Sequence, residues 1–138
     1  MTIKESLIKW LNDYPNFEIS DEIELDLLSD RTSYALVKEP DSIIETFIDG
    51  SEKRTEYYTF QAKKVVANKV LRKKCDEFLE EFQDWISNKN YNCELPRLEN
   101  NRYCDNISLS TTPYLYENTE RNGIYIFTIE IIYRKEID

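Results

Sequence analysis

Four carboxylates, Glu39, Asp41, Glu45 and Asp49, stand on one short stretch of the chain and could form a general acid/base pair. That is the one catalytic route the composition leaves open. The chain has no histidine, which excludes Ser-His and Cys-His nucleophile pairs together with the commonest zinc ligand. Gly50 and Gly123 are its only glycines, so no glycine-rich phosphate loop can be written. Cys75, Cys93 and Cys104 are an odd number without short paired spacing and read as reduced thiols of a cytoplasmic compartment. Cys93 and Cys104 flank a loop with no histidine to complete a metal site. Nothing in the spacing of the four carboxylates singles out a pair, and 27 acidic residues create many accidental neighbours. The sequence therefore predicts no enzyme, no metal and no cofactor.

The elements that hold these residues follow from size and pattern. The chain has 138 residues, 41% of them apolar and 13% aromatic, enough side chain for one core and too little for two. A single domain over 1–138 is expected. With 18 Lys and Arg against 27 Asp and Glu the net charge is −9, which disfavours gripping a nucleic-acid backbone. No run of apolar residues is long enough for a membrane span. The start, Met1 to Glu5, lacks the pattern of a signal peptide, so none is expected. Asn106-Ile107-Ser108 then matches a glycosylation acceptor only by chance.

Thr2 and Glu5 form a capping-box pattern, and Ile3, Leu7, Ile8, Trp10 and Leu11 recur at helical spacing, predicting a helix over 3–13 that stops before Pro15. Alternation at Ile23, Leu25 and Leu27 predicts a strand. A second over 33–38 ends at Pro40, with a hairpin across Ser29–Thr32. Ile43–Ile48 and Arg54–Lys63 are two further strands. Asp49-Gly50 between them predicts a hairpin whose tip is Asp49 to Lys53, because Asp-Gly suits positive φ at both central positions. From Asn68 to Lys89 the period becomes 3.6, with Leu71, Cys75, Phe78, Leu79, Phe82, Trp85 and Ile86 on one stripe of a helix roughly 30 Å long. Strands at 107–110, 114–116 and 124–134 complete the order α-β-β-β-β-α-β-β-β, with Asn122-Gly123 as the last turn. The fold class is α+β, a mostly antiparallel sheet with two helices packed on one face.

Surface candidates come next. Phe82 with Trp85 and Tyr114 with Tyr116 have the residue types of base-stacking platforms. Phe82 and Trp85 lie on the buried stripe and read as core, whereas Tyr114 and Tyr116, on one face near a strand end, suit a subunit interface. The long helix carries Lys69, Arg72, Lys73 and Lys74 first and Asp76, Glu77, Glu80, Glu81 and Asp84 after, against the macrodipole and in the weaker order for the Lys73–Glu77 pair. This is either a solvated face or a rod that pairs head to tail with its own copy, with Glu80 and Glu81 in the contact.

Several segments in order carry a family resemblance. They are Ser33-Tyr34-Ala35-Leu36 into Glu39-Pro40, Ile43-Ile44 ending in Asp49-Gly50 and Arg54, and Tyr58-x-Phe60. Phe78 with Phe82, Asp84-Trp85-Ile86, Leu95-Pro96-x-Leu98, Pro113-Tyr114-Leu115-Tyr116 and the Tyr125–Tyr133 strand follow. Together they resemble the small minor capsid or tail-terminator-like proteins of tailed bacteriophages and prophages of Gram-positive bacteria. The loop from Glu117 to Gly123 departs from the pattern, being less acidic and without alanine. The resemblance implies a virion structural protein, a ring, commonly hexameric, that caps the head-proximal end of the tail tube and joins it to the head connector. Its partners would be its own copies, the tail tube protein and the head connector protein, with DNA passing through the lumen without specific binding and no membrane involved. It would reside in the virion tail, and in the host cytoplasm before assembly. Asp49, Gly50, Lys53, Arg54, Glu80, Glu81, Tyr114 and Tyr116 are the residues expected at subunit or tube contacts. A head–tail connector or other neck component, and a cytoplasmic acidic inhibitor or binding module, are the alternatives.

Overall fold

A computed structural model describes residues 2–14, 19–20, 33–65, 68–118 and 122–137. The strand expected at Ile23–Leu27 and the hairpin over Ser29–Thr32 lie outside these residues.

Helix α1 spans Ile3–Leu11. The Thr2 hydroxyl accepts the Glu5 N–H at 3.1 Å, satisfying one of the donors that a helix start leaves open. The helix closes sooner than its sequence pattern predicts, at Asn12, whose N–H reaches the Ile8 carbonyl at 2.9 Å. Helix α2 spans Lys69–Tyr91, roughly 35 Å at 1.5 Å per residue. Asn68 caps it by accepting the Leu71 N–H at 2.9 Å, and Cys75, Leu79, Phe82 and Ile86 form its buried stripe.

The strands are β1 (Ile19–Ser20), β2 (Ser33–Thr46), β3 (Glu52–Val65), β4 (Arg102–Leu109), β5 (Tyr114–Asn118) and β6 (Asn122–Lys135). They form one sheet in the order β1-β2-β3-β6-β4, with β5 also on β6. Only β1 and β2 pair in parallel, so the sheet is mostly antiparallel and the fold class is α+β. β3 and β6 pair along their full lengths, from Glu52 opposite Lys135 to Val65 opposite Asn122.

Three expectations are corrected here. The strands expected at 33–38 and 43–48 are one continuous β2, because Pro40 falls within a register shift between Lys38 and Ser42 where the ladder needs no N–H from it. Asn122 and Gly123 belong to β6, with Gly123 paired to Asn118, so they are strand and not turn. β4 starts at Arg102, ahead of the 107–110 strand read from the sequence.

β4 and β5 lie end to end against β6 and behave as one interrupted edge. Across the break at Pro113 the Ser110 N–H donates to the Thr128 carbonyl at 2.9 Å. The Thr128 N–H in turn donates to the Thr111 hydroxyl at 2.9 Å, so the ladder survives where proline cannot donate.

Both helices cover the same face. Phe82, fully buried, sits with its ring centroid 5.1 Å from Phe60 and 5.8 Å from Phe127 on the sheet, while Tyr14 at the end of α1 meets Phe82 at 5.2 Å and Trp85 at 5.4 Å. Trp10 meets Trp85 at 5.1 Å with the rings tilted by 46°, and its Nε1–H donates to the Glu94 carbonyl at 2.9 Å. Burying so many rings is the main stabilising term, since each removes a large apolar area from water. Phe82 and Trp85 are therefore core, as the helical spacing predicts. No helix among the described residues is long and apolar enough to cross a membrane.

Candidate interaction site

Among the described residues the helix layer covers one end of the sheet and leaves the other bare. Past Lys38, β2 has no outer neighbour among the described residues, and it runs with β3 into a projecting hairpin. Ile43 and Ile44 are each 52% exposed there, and Phe47 and Ile48 are exposed beside them at the tip. Successive strand residues point to opposite faces, so Ile43 and Ile44 expose apolar surface on both sides of the ribbon.

The tip differs from the Asp49 to Lys53 tip expected. The loop is Phe47–Ser51, with Glu52 and Lys53 already in β3. Among the described residues of the loop only Gly50 has positive φ, at 91°, so Asp49 does not adopt the conformation that a tight Asp-Gly turn demands. Asp49 instead accepts the Ser51 N–H at 2.9 Å and the Ser51 hydroxyl at 2.6 Å, bonds that hold its carboxyl below the usual range. A Cβ at Gly50 would stand 3.3 Å from Ile137 Cγ2, so the chain's end lies against this tip. Lys53 pairs in register with Glu45 and Arg134, and Arg54 forks onto Glu52 with both contacts at 2.8 Å.

The four carboxylates weighed as a catalytic pair are spread along this hairpin. Glu39 accepts the Thr59 hydroxyl at 2.8 Å and the Thr128 hydroxyl at 3.2 Å, Asp41 and Glu45 are exposed, and Asp49 is in the tip loop. Cys93 is exposed, whereas burial pushes the Cys104 thiol up to about 12. Among the described residues no group of three or more Cys, Asp or Glu side chains could hold a metal ion.

Where the helix layer stops, a cleft of about 700 Å³ opens that sequence reasoning missed. Glu56 is its floor, 5% exposed, accepting the Tyr58 hydroxyl at 3.0 Å and the Tyr133 hydroxyl at 2.8 Å, with Lys38 Nζ at 3.7 Å. Buried carboxylates need such donors, because a charge moved out of water without them is very costly. Burial, reinforced by Glu56, raises the Tyr58 hydroxyl far above its ordinary value and the Tyr133 hydroxyl to about 12. Lys4, Lys38, Arg54 and Arg102 surround the floor, joined by the start of α1 at Thr2 and Ile3, and Glu5 is the second carboxylate. The signal for Glu56 was present in the sequence. Carrying the Ala62, Phe60, Tyr58 alternation back one step places Glu56 on the buried face.

Glu80 and Glu81 are exposed on α2 with Asp76, Glu77 and Asp84, and none of the five forms an ion pair among the described residues. Lys73 and Glu77 do not pair either, in keeping with their unfavourable order. Tyr114 and Tyr116 are 50% and 64% exposed. A register shift between Leu115 and Glu117 breaks the alternation on which their sharing one face depended. The structure thus gathers Asp49 and Gly50 at the hairpin tip, places Lys53 and Arg54 along β3, and leaves Glu80, Glu81, Tyr114 and Tyr116 on other surfaces. No protein-family model matches the chain, and no curated protein matches it.

Proposed function

We propose that this chain is a structural subunit that closes into a ring, in the manner of the tail terminators of tailed phages. The observation that carries this reading is the projecting β2–β3 hairpin with Ile43, Ile44, Phe47 and Ile48 exposed. Exposed apolar side chains on a strand edge that has no outer neighbour among the described residues are costly in a lone subunit and suit a protein contact. A hairpin edge meeting a different surface of the next copy is a heterologous contact, which generates closed rings. The charge of −9 fits a lumen that lets DNA pass without holding it. Tail tube and head connector proteins would dock on the two ends of such a ring.

The test is native mass spectrometry over a range of concentrations and moderate salt. A ring near six 16.6-kDa subunits is expected, alone or on adding tail tube protein. A strict monomer in both conditions would end this reading. It would favour the second one, an acidic module for a basic partner, which rests on the unpaired carboxylates of α2.

A further inference from the structure

Among the described strands, two stretches expose apolar side chains at consecutive positions, and they sit at diagonally opposite corners of the sheet. One is Ile43-Ile44 of β2, where Ile44 is level with Arg54 and Tyr133. The other is Tyr114-Leu115-Tyr116 of β5, where Leu115 is level with Tyr125 near the far end of β6. Neighbouring strand residues point to opposite faces, so both faces are bare at each corner. No charge interrupts either run, although charge is a usual means by which an edge strand refuses a partner.

The backbone of the two corners is in phase. The Phe47 N–H donates to the Ser51 carbonyl at 2.9 Å, so Phe47, Glu45 and Ile43 bond inward to β3. Alternation then turns the N–H and C=O of Ser42, Ile44 and Thr46 away from the sheet. On the other side the Ser110 N–H donates to the Thr128 carbonyl, so Thr128 and, two residues before it, Ile126 bond towards β4 and β5. Ile126 is opposite Tyr114, which turns the N–H and C=O of Leu115 outward. β4 is the poorer edge, because the outward N–H of Ile107 is already taken by Asn90 Oδ1 of α2 at 3.0 Å.

The faces and directions agree as well. Ile44 is level with Tyr133 and Leu115 with Tyr125, and both tyrosines belong to the side of β6 that packs under the helices. β2 is antiparallel to β3, β3 to β6 and β6 to β5, so β2 and β5 run in opposite directions. A second copy set beside the first in the same orientation therefore brings its β5 antiparallel to β2. The outward groups of Leu115 then meet those of Ile44 with the helix sides aligned.

We infer that β5 of one copy adds to the bare edge of β2 in a second copy of this chain, with Leu115 opposite Ile44. This register sets Tyr114 opposite Glu45 and Tyr116 level with Ile43, so branched and aromatic side chains cover one another across the junction. The two edges differ and lie at opposite corners, so each copy uses both at once and the contact is heterologous. The inference rests on the ring reading and names the surface that the hairpin meets.

Disulfide trapping reads this register. Glu45→Cys with Tyr114→Cys is made in a Cys93→Ser background, which removes the exposed native thiol. The two positions form a non-hydrogen-bonded pair across the junction, with Cα atoms about 4.5 Å apart, within reach of a disulfide. Mild oxidation should link the double variant into dimers, trimers and higher species, and neither single variant should link. Leu115→Pro removes an N–H that its own sheet does not use, so thermal melts should stay near wild type while self-association weakens at least about tenfold. The cross-link keeps the test decisive if the proline variant does not fold. Assembly without the mixed cross-link overturns this inference and leaves the ring standing. Dimers formed by Glu45→Cys alone overturn it too, since two hairpins would then be pairing with each other. A ladder from chains that native mass spectrometry finds monomeric keeps the pairing and removes the ring, and neither assembly nor cross-link ends both.

Discussion

The two ends of the β2–β3–β6 ribbon are made of the same strands and have opposite surroundings. At one end Tyr34, Phe60, Phe127 and Ile129 share one buried cluster with Phe82 and the α1 residues, and half-buried Phe78 packs against it. At the other, Ile43, Ile44, Phe47 and Ile48 have as much apolar character and remain exposed. Hydrophobic pattern alone does not tell the two apart, since a strand is equally apolar whether its cover is a helix of its own chain or another molecule. The difference teaches that the covered end holds the fold, while the bare end is the surface proposed for assembly, and each half of that statement can be broken separately.

The largest effect should come from the covered end. Phe82 touches rings from both sheet and helix, with centroids at 5.1 Å to Phe60, 5.9 Å to Phe78 and 6.0 Å to Trp85. Phe82→Ala leaves a cavity that rigid neighbours cannot fill, and is expected to cost about 3–5 kcal/mol in urea unfolding. A loss below about 1 kcal/mol would show that this cluster is not what ties α2 to the sheet.

At the bare end the outcome should reverse. Ile43→Ser with Ile44→Ser removes side chains already about half in water, so stability of the subunit should change by no more than about 0.5 kcal/mol. Self-association, followed by sedimentation velocity on dilution, should weaken at least about tenfold, which is about 1.4 kcal/mol. Assembly unchanged by the double substitution would remove the hairpin from the interface.

The same contrast explains what could be read from the sequence. The 3.6-residue stripe of α2 and the alternation from Tyr125 to Tyr133 were legible because both elements bury one face continuously, and burial is what imposes a period. Pro40 misled because proline usually ends a strand, but at a bulge where the described residues place no outer neighbour it removes nothing the sheet needs. Asn122-Gly123 misled for a related reason, since a favourable turn dipeptide is no more than a local preference and β3 extends the pairing past it. The short parallel β1 has no period to detect over two residues. Of the candidate site, the exposed tip was legible as a hairpin signal. The cleft was not, because Lys4, Lys38, Arg54 and Arg102 are distant in sequence and only the sheet order together with the seating of α1 brings them together.

The smallest effect concerns a charge kept at the covered end. Lys64 has no carboxylate partner among the described residues. Its ammonium donates to the Tyr34 hydroxyl and lies 3.6 Å from the centroid of the Phe78 ring and 4.7 Å from that of Tyr34. Cation–π contact and one hydrogen bond offset only part of the lost hydration, and burial lowers its pKa to about 8. Between pH 8 and 10.5 the unfolded chain therefore holds more protons at Lys64 than the folded one, so this residue makes stability rise with pH through that window. Below pH 8 the cost is present in full. Lys64→Met keeps the length of the side chain and removes the charge, and should stabilise the protein at pH 7 by about 1–2 kcal/mol, allowing for the part of Lys64 that stays in water. The gain should shrink above pH 8 and vanish near pH 10.5. Comparing variant with wild type at each pH cancels the opposite trend from the buried Tyr58 and Tyr133 and the half-buried Tyr125 hydroxyls, whose raised values withdraw stability above pH 10. A gain that stays constant from pH 7 to 10.5 would mean that Lys64 titrates alike in the folded and unfolded chain, so that its charge is not what burial penalises.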